Sequence, residues 1–381
     1  MSVQHYDVVI VGGGVIGAAA AFELSKRQHR VAILEKRTAA CEASSAAAGM
    51  LGAQSEFFSP SPLVPFALKS RALMLSLAVE LKDRTGIDIG LVEKGMIKVA
   101  TTEKEAEELQ RHFEFWRETD YPVRWLTKEE AVEMEPSLAK EAIVGAMYIE
   151  GDGQVSAPDL ARALGYAAIS AGAQLYDYTE VLNIRSEDGI HLVDTTNGTF
   201  AAGAVVIAAG AWTARLGAMI GLPLAMYPVK GECLMVRTQA PLLRTTIFAK
   251  NGCYIVPKRG NQLLIGATST PETYDGRVSA GGVLSLLHRA TALVPDIQQA
   301  EWIKTWGGIR PQTKDGLPYI GEHPERQGLF VAAGHYRNGI LLCALTGRLM
   351  ADLVERKETG IDLSPFSLTR HAEQDTITLI N

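Results

Sequence analysis

The stretch "DVVIVGGGVIG" at residues 7–17 narrows the possible folds more than any other part of the chain. A near-continuous β-branched run, as expected of a parallel strand covered on both faces, meets a glycine triplet. An Ala-rich segment that favours helix follows Gly17. "RVAILEK" (30–36) then supplies a second buried strand. Gly12, Gly14 and Gly17 give the spacing G-x-G-x-x-G between strand and helix, and Glu35 ends the second strand 18 residues after Gly17. A bare glycine turn would need none of that context, so the unit reads as a dinucleotide-binding βαβ. Gly12 permits the tight turn. Gly14 lets the backbone approach a pyrophosphate at the helix N-terminus, where Val15 and Ile16 open the helix, and Gly17 lets helix and strand pack closely. Glu35 is the expected acceptor for ribose hydroxyls. Lys36 beside it would suit a 2′-phosphate, but the neighbouring acid would repel one.

With 381 residues the chain is long enough for two or three domains. It is 47% hydrophobic and 21% charged, ordinary for a soluble globular protein. A formal net charge of -6 argues against a nucleic-acid-binding face. Cys41, Cys233, Cys253 and Cys343 lie far apart, with no CxxC and no zinc-spaced His/Cys cluster, so reduced thiols and no metal site are expected. No basic leader precedes the first strand, and no apolar run reaches the roughly 18–20 residues that a membrane span needs. The expectation is a soluble cytoplasmic protein without nucleic-acid or membrane partners.

Farther along, "FALKSRALMLSLAVELKDR" (66–84) has helical character and "EKEAEELQRHFEFWRE" (103–118) reads as a solvated amphipathic helix. "TKEEAVEMEP" (127–136) starts with a Thr N-cap and a Glu three residues later. "SAPDLARALGYAAISAG" (156–172) is another helix, stopped by Gly172. "AVVIAAGAW" (204–212) is a buried strand that meets Gly210. After Pro223, short strands and turns such as "GECLMVRT" and "CYIVPKRGNQLLIGAT" suggest an antiparallel sheet. The helical "GGVLSLLHRATALVP" interrupts them. Dinucleotide-like texture returns at 328–355, so the chain leaves one domain and comes back to it. The expected fold class is α/β (α+β): a Rossmann-like dinucleotide-binding domain and a second domain built on an antiparallel sheet. The expected division gives 1–85, 145–222 and 322–372 to the first, 86–144 and 223–321 to the second, and leaves 373–381 as a loosely held tail.

The glycine motif alone does not separate FAD from NAD; the later strands "AVVIAAGAW" and "GLFVAAGHYRNGI" favour FAD. Together with "SSAAAGML" (44–51), "PVKGE" (228–232), "GIRPQTKDGLPYIG" (308–321) and "GHYRNGILL" (334–342), they make the chain resemble the D-amino-acid-oxidase-type FAD amine oxidases over nearly its whole length. The nearest likeness is to the bacterial branch that oxidises glycine for thiamine biosynthesis. The resemblance implies a two-domain fold, with a Rossmann-like FAD-binding domain and a substrate domain built on the antiparallel sheet, a homotetramer, and a turn over Gly334, His335, Tyr336, Arg337, Asn338, Gly339, Ile340 and Leu341 that lies against the flavin ring. Backbone N–H groups at the start of the following helix would stabilise negative charge on the reduced ring. It further implies cofactor contacts from Ser44, Ser45, Ala48, Gly49, Met50, Val181 and Gly210.

For substrate, the resemblance points to Arg310, whose planar guanidinium suits a carboxylate, with Tyr254 adding a hydroxyl and Arg337 facing the mouth. Each has a plainer reading: an interdomain ion pair, a core tyrosine, a solvated surface arginine. His335 is not needed as a base, because the substrate enters as the neutral amine and passes a hydride from Cα to the flavin; no acid–base residue is assigned. No His adjoins "SSAAAGM" and Cys343 falls inside a helix, so the FAD is expected to be noncovalent. The implied reaction oxidises glycine, sarcosine or a small D-amino acid with O₂, giving an oxo acid, ammonia or amine, and H₂O₂. The alternatives are a D-amino-acid dehydrogenase using another electron acceptor, and a noncatalytic FAD-binding protein.

Overall fold

Two sheets organise the computed structural model, which describes residues 3–187, 189–249 and 252–371. The first runs in the order Tyr319–Glu322, Leu329–Ala333, Gly198–Ile207, Gln4–Val11, Val31–Leu34, Gln174–Tyr176. The last five strands are parallel, and Tyr319–Glu322 closes one edge antiparallel. Strand side chains alternate, so Val8 and Ile10 join the core on one face while Val9 and Val11 join that on the other. On the first face, helix Val15–Lys26 packs against Ala157–Ser170 and Gly339–Val354. On the second lie the antiparallel strands Val181–Glu187 and Ile190–Thr195, the latter paired with Gly198–Ile207. Cover on both faces is why the first strand stays apolar without a break from Val8 to Val11.

The second sheet has nine strands, ordered Thr270–Pro271, Met226–Arg237, Gln262–Gly266, Tyr254–Lys258, Thr246–Ala249, Met96–Ala100, Gly145–Ile149, Val123–Leu126, with Glu301–Thr313 also paired to Met226–Arg237. It is antiparallel except where Thr246–Ala249 runs parallel to Met96–Ala100. Strand membership departs from the expected division at two places. Gly145–Ile149, expected with the first sheet, pairs with Met96–Ala100. Tyr319–Glu322, most of which was expected in the second, pairs with Leu329–Ala333. Both are short strands, and a distant partner decides which sheet takes them.

One face of the second sheet packs Ile247, Ile255 and Ile265 against helix Ala280–Leu293. The other presents Phe248, Tyr254, Val256 and Leu264 toward Ala48 and Met50, and the site lies there. The expected helices form, with one difference. The stretch 66–84 is two helices, Leu63–Ala72 and Met74–Thr85, stepped at Leu73 without a glycine or proline to signal the break. The Thr127 capping box forms as the spacing predicts: Thr127 Oγ1 accepts the Glu130 N–H at 3.2 Å, and the Glu130 carboxylate accepts the Thr127 N–H at 2.8 Å. Among the described residues, no helix is long and apolar enough to cross a membrane. The tail 373–381 lies outside the described residues.

Candidate active site

The first strand delivers the chain to Gly12, where φ is +109° and a Cβ would meet Ala208 O at 2.5 Å. Only glycine takes that conformation without steric cost. The Val15 N–H donates to Ser44 Oγ at 2.9 Å, which brings the small-residue loop onto the helix start. Gly14 caps this helix with no side-chain bond, and no acid lies in its first turn, so its positive end is open to an anion. Glu35 accepts the N–H groups of Gly13 at 2.9 Å and Arg37 at 3.0 Å. Both oxygens keep lone pairs for a ribose. Lys36 lays its ammonium 3.2 Å from the centre of the Trp212 ring, and burial lowers its pKa. These groups line a cavity of about 1250 Å³. A glycine-edged cradle, an uncapped helix N-terminus and a fixed acid are what a dinucleotide requires, so the residues present fit FAD.

Strand Leu329–Ala333 reaches the same cavity. Gly334 (φ +80°) and the left-handed Tyr336 (φ +48°) fold the turn, Tyr336–Asn338 makes one 3₁₀ turn, and helix Gly339–Val354 begins. No side chain caps this helix and no acid sits in its first turn, so its leading N–H groups are left for a partner. The His335 ring is turned away: it is buried, shares a 3.1 Å hydrogen bond with Thr346 Oγ1, and burial pulls its pKa down to about 3. Cys343 is also buried, its thiol directed at Ile340 O and its pKa pushed up to about 12.

A second cavity, of about 1410 Å³, is lined by the loop at 46–50, this turn and the front of the second sheet. Arg310 and Tyr254 both line it. The Arg310 guanidinium lies over Gly231, where any Cβ would collide with it, and the Tyr254 ring lies over Gly266, whose Cβ would come within 2.5 Å. These glycines, on paired strands, seat the two side chains. Arg310 Nη1 donates to Thr268 O at 3.3 Å, and no carboxylate pairs with it among the described residues. The Tyr254 hydroxyl lies 3.6 Å from Cys233 Sγ, and burial pushes its pKa well up, so it stays protonated. Arg337 is different: its Nη2 lies 3.1 Å from Glu56 Oε1, with its side chain 33% exposed and its guanidinium 5.7 Å from the Phe248 ring centre. Ala43, Ala47, Tyr336, Arg337 and Ile340 line both cavities, so the two adjoin across them. Among the described residues lining the second cavity there is no carboxylate, histidine or lysine.

Of the residues singled out from sequence, Gly12, Gly14, Val15, Ile16, Glu35, Lys36, Ser44, Val181, Gly210, Gly334, His335, Tyr336, Arg337, Gly339 and Ile340 line the first cavity. Ala48, Gly49, Met50, Tyr254 and Arg310 line the second, which Tyr336, Arg337 and Ile340 share. Four reach neither. Gly17 serves packing, since its Cβ would collide with Gly12 O. Ser45 turns back to Glu42 O at 3.0 Å. Asn338 closes the 3₁₀ turn through its N–H to His335 O at 2.9 Å. Leu341 is buried in the helix core. Sequence reasoning missed Ala43, Ala208 and Ala209, which carry no chemical signal, and Glu56, whose partner is 281 residues away. Gly231 and Gly266 did carry one: a glycine inside a strand marks a close approach.

The FAD dependent oxidoreductase (DAO) family model matches residues 7–353. The chain is 75% identical over 368 residues to the glycine oxidase of Geobacillus kaustophilus (strain HTA426), covering 97% of this chain and 98% of that protein. To the bifunctional protein ThiO/ThiG of Trichormus variabilis it is 34% identical over 377 residues, covering 98% of this chain and 56% of that protein. A crystal structure of the Geobacillus kaustophilus glycine oxidase matches with a TM-score of 0.95 at 74% identity, covering 97% of this chain and 99% of that one. With a dinucleotide cradle that fits FAD and a family match spanning most of its length, the chain belongs to the DAO family of FAD dependent oxidoreductases.

Proposed function

We propose that the chain is an FAD-dependent oxidase of glycine and small amines such as sarcosine and small D-amino acids. The observation that carries this reading is the junction of a dinucleotide cavity with a second cavity in which Arg310 has no acidic partner among the described residues. For glycine the reaction consumes O₂ and water and yields glyoxylate, ammonia and H₂O₂. FAD, when bound, supplies the acceptor for the hydride that leaves the substrate Cα. The residues of the chain bind and orient. Arg310 grips the carboxylate through two parallel N–H donors, and the protonated Tyr254 donates its O–H to the same group. Held at that end, the Cα–N end points to the junction, and position does most of the catalytic work. No side chain has to take a proton, because the amine enters neutral. The open N-terminus of helix Gly339–Val354 favours negative charge at the junction. Arg337, already neutralised by Glu56, stands at the mouth.

In this reading the first sheet and its helices hold FAD and the second sheet holds the substrate. The likeness to ThiO/ThiG and to glycine oxidases supports a role in supplying imine for thiamine biosynthesis, and the assembly in this reading is a cytoplasmic homotetramer. A peroxide assay over glycine, sarcosine, D-alanine, D-proline and the L-enantiomers tests the reading. Peroxide from glycine and the small D-substrates is expected. Turnover seen only with a quinone acceptor would make the protein a dehydrogenase, and no turnover at all would leave a noncatalytic flavoprotein.

A further inference from the structure

Strand Tyr254–Lys258 turns Tyr254, Val256 and Lys258 to one face. Tyr254 and Val256 pack with Ala48 and Met50 of the small-residue loop. Lys258 ends the row, half-buried, with its ammonium directed inward. Its Nζ donates to Ala48 O at 2.7 Å, Gln154 Oε1 at 2.6 Å and Val155 O at 2.9 Å. The Gln154 amide is itself oriented by donating to Pro257 O at 2.7 Å. An ammonium has three donors and all three meet oxygens. Among the described residues no acidic partner offsets the burial, which pulls the pKa down to about 7.

Placing a cation there without an acid is unfavourable, and an apolar side chain of similar length would pack at lower cost. What the ammonium adds is a grip on the main chain of two separate segments from a third. The loop cannot anchor itself, because Ala46, Ala47 and Ala48 offer no polar side chain. Its other ties are the Trp306 Nε1–H to Ala46 O bond at 3.0 Å, at the far end of the loop, the Val155 N–H to Gly49 O bond at 2.8 Å, and the pairing of Met50–Leu51 with Gly153–Gln154. The loop also lines both cavities: Ala47 borders the first, and Ala46 through Met50 border the second.

We infer that Lys258 is a positioning residue whose ammonium fixes the loop at 46–50 against the Tyr254 strand and so sets the width of the opening between the cofactor cavity and the substrate cavity. The inference rests on the amine-oxidase reading above for its kinetic consequence but not for its effect on FAD. Lys258→Met keeps the stem and removes the donors, whereas Lys258→Arg keeps charge and several donors.

The test titrates FAD into each apoprotein, records the visible band of the bound flavin, and measures kcat and KM for glycine at saturating FAD. The Met variant should bind FAD about tenfold more weakly, with an altered flavin band. Its kcat should fall about tenfold to a hundredfold while KM changes less. The Arg variant should recover most of each. FAD affinity, band shape and kcat in the Met variant all within about twofold of wild type would overturn the inference. If the Met variant fails to fold, Gln154→Met, which removes one acceptor and the Pro257 tether, should show the same pattern, and wild-type behaviour there would overturn it equally. Absence of glycine turnover in the wild type would count against the amine-oxidase reading, and FAD affinity and band shape would still decide Lys258.

Discussion

Replacing Arg310 by alanine separates it from Arg337, two of the three arginines that line the second cavity. Arg310 lies on Gly231 with one bond to a carbonyl and no acid beside it, so its remaining donors meet the substrate first. Losing a charge-assisted bidentate pair in a shielded pocket costs about 2–4 kcal/mol, or roughly 30- to 1000-fold in kcat/KM. Arg337 is a third exposed and already paired with Glu56 at 3.1 Å. Arg337→Ala should therefore cost about 1 kcal/mol or less, roughly fivefold. The assay is kcat/KM for glycine and for an amine without a carboxylate, on wild type and both variants, at matched flavin occupancy. Arg310→Ala should spare the carboxylate-free amine. Equal losses for both substrates would make Arg310 structural, and a larger loss for Arg337→Ala would move the clamp to the turn at 334–339.

Acid precipitation should release all of the flavin as FAD, because Cys343 is buried with its thiol protonated; flavin retained on the denatured chain, or release of FMN, would contradict this. Glu35→Arg should raise the FAD dissociation constant at least about tenfold, since it removes the acceptor for a ribose together with that for the Gly13 and Arg37 amides; an unchanged titration removes Glu35 from the site. His335 has a folded pKa of about 3, below its ordinary 6.5, so the unfolded chain takes up a proton that the folded one refuses. Stability from this residue is full above about pH 6.5 and is lost by up to about 1.4 kcal/mol per pH unit as pH falls toward 3. Urea midpoints should accordingly drop less on acidification in His335→Gln than in wild type, while the pH profile of kcat/KM keeps its shape; a profile that changes would give His335 an acid–base role.

The local half of the architecture could be read from sequence, because its signals are local. The strand–glycine–helix unit at 7–26, the Thr127 capping box and the Gly172 stop each depend on residues within a turn or two of one another. The second sheet was legible as a class but not as a pairing. Nothing near Thr246–Ala249 announces a parallel partner at Met96–Ala100, and Gly145–Ile149 carries no mark of the sheet it joins. The site divides in the same way. Gly12, Glu35 and Arg310 belong to motifs, whereas Glu56 and Lys258 act through partners distant in sequence, Arg337 and the carbonyls of Ala48 and Val155. The alanines of the loop contribute only by being small, and that is visible once the backbone is closed around them.

The most direct test of the account mixes the yellow holoenzyme with glycine in the absence of air and follows the visible band of the oxidised flavin. Glycine should bleach the band completely, and admitting air once the excess glycine has been removed should restore it with one H₂O₂ formed per flavin. A band that persists under saturating glycine, at full FAD occupancy, would contradict the assignment of these two adjoining cavities to amine oxidation.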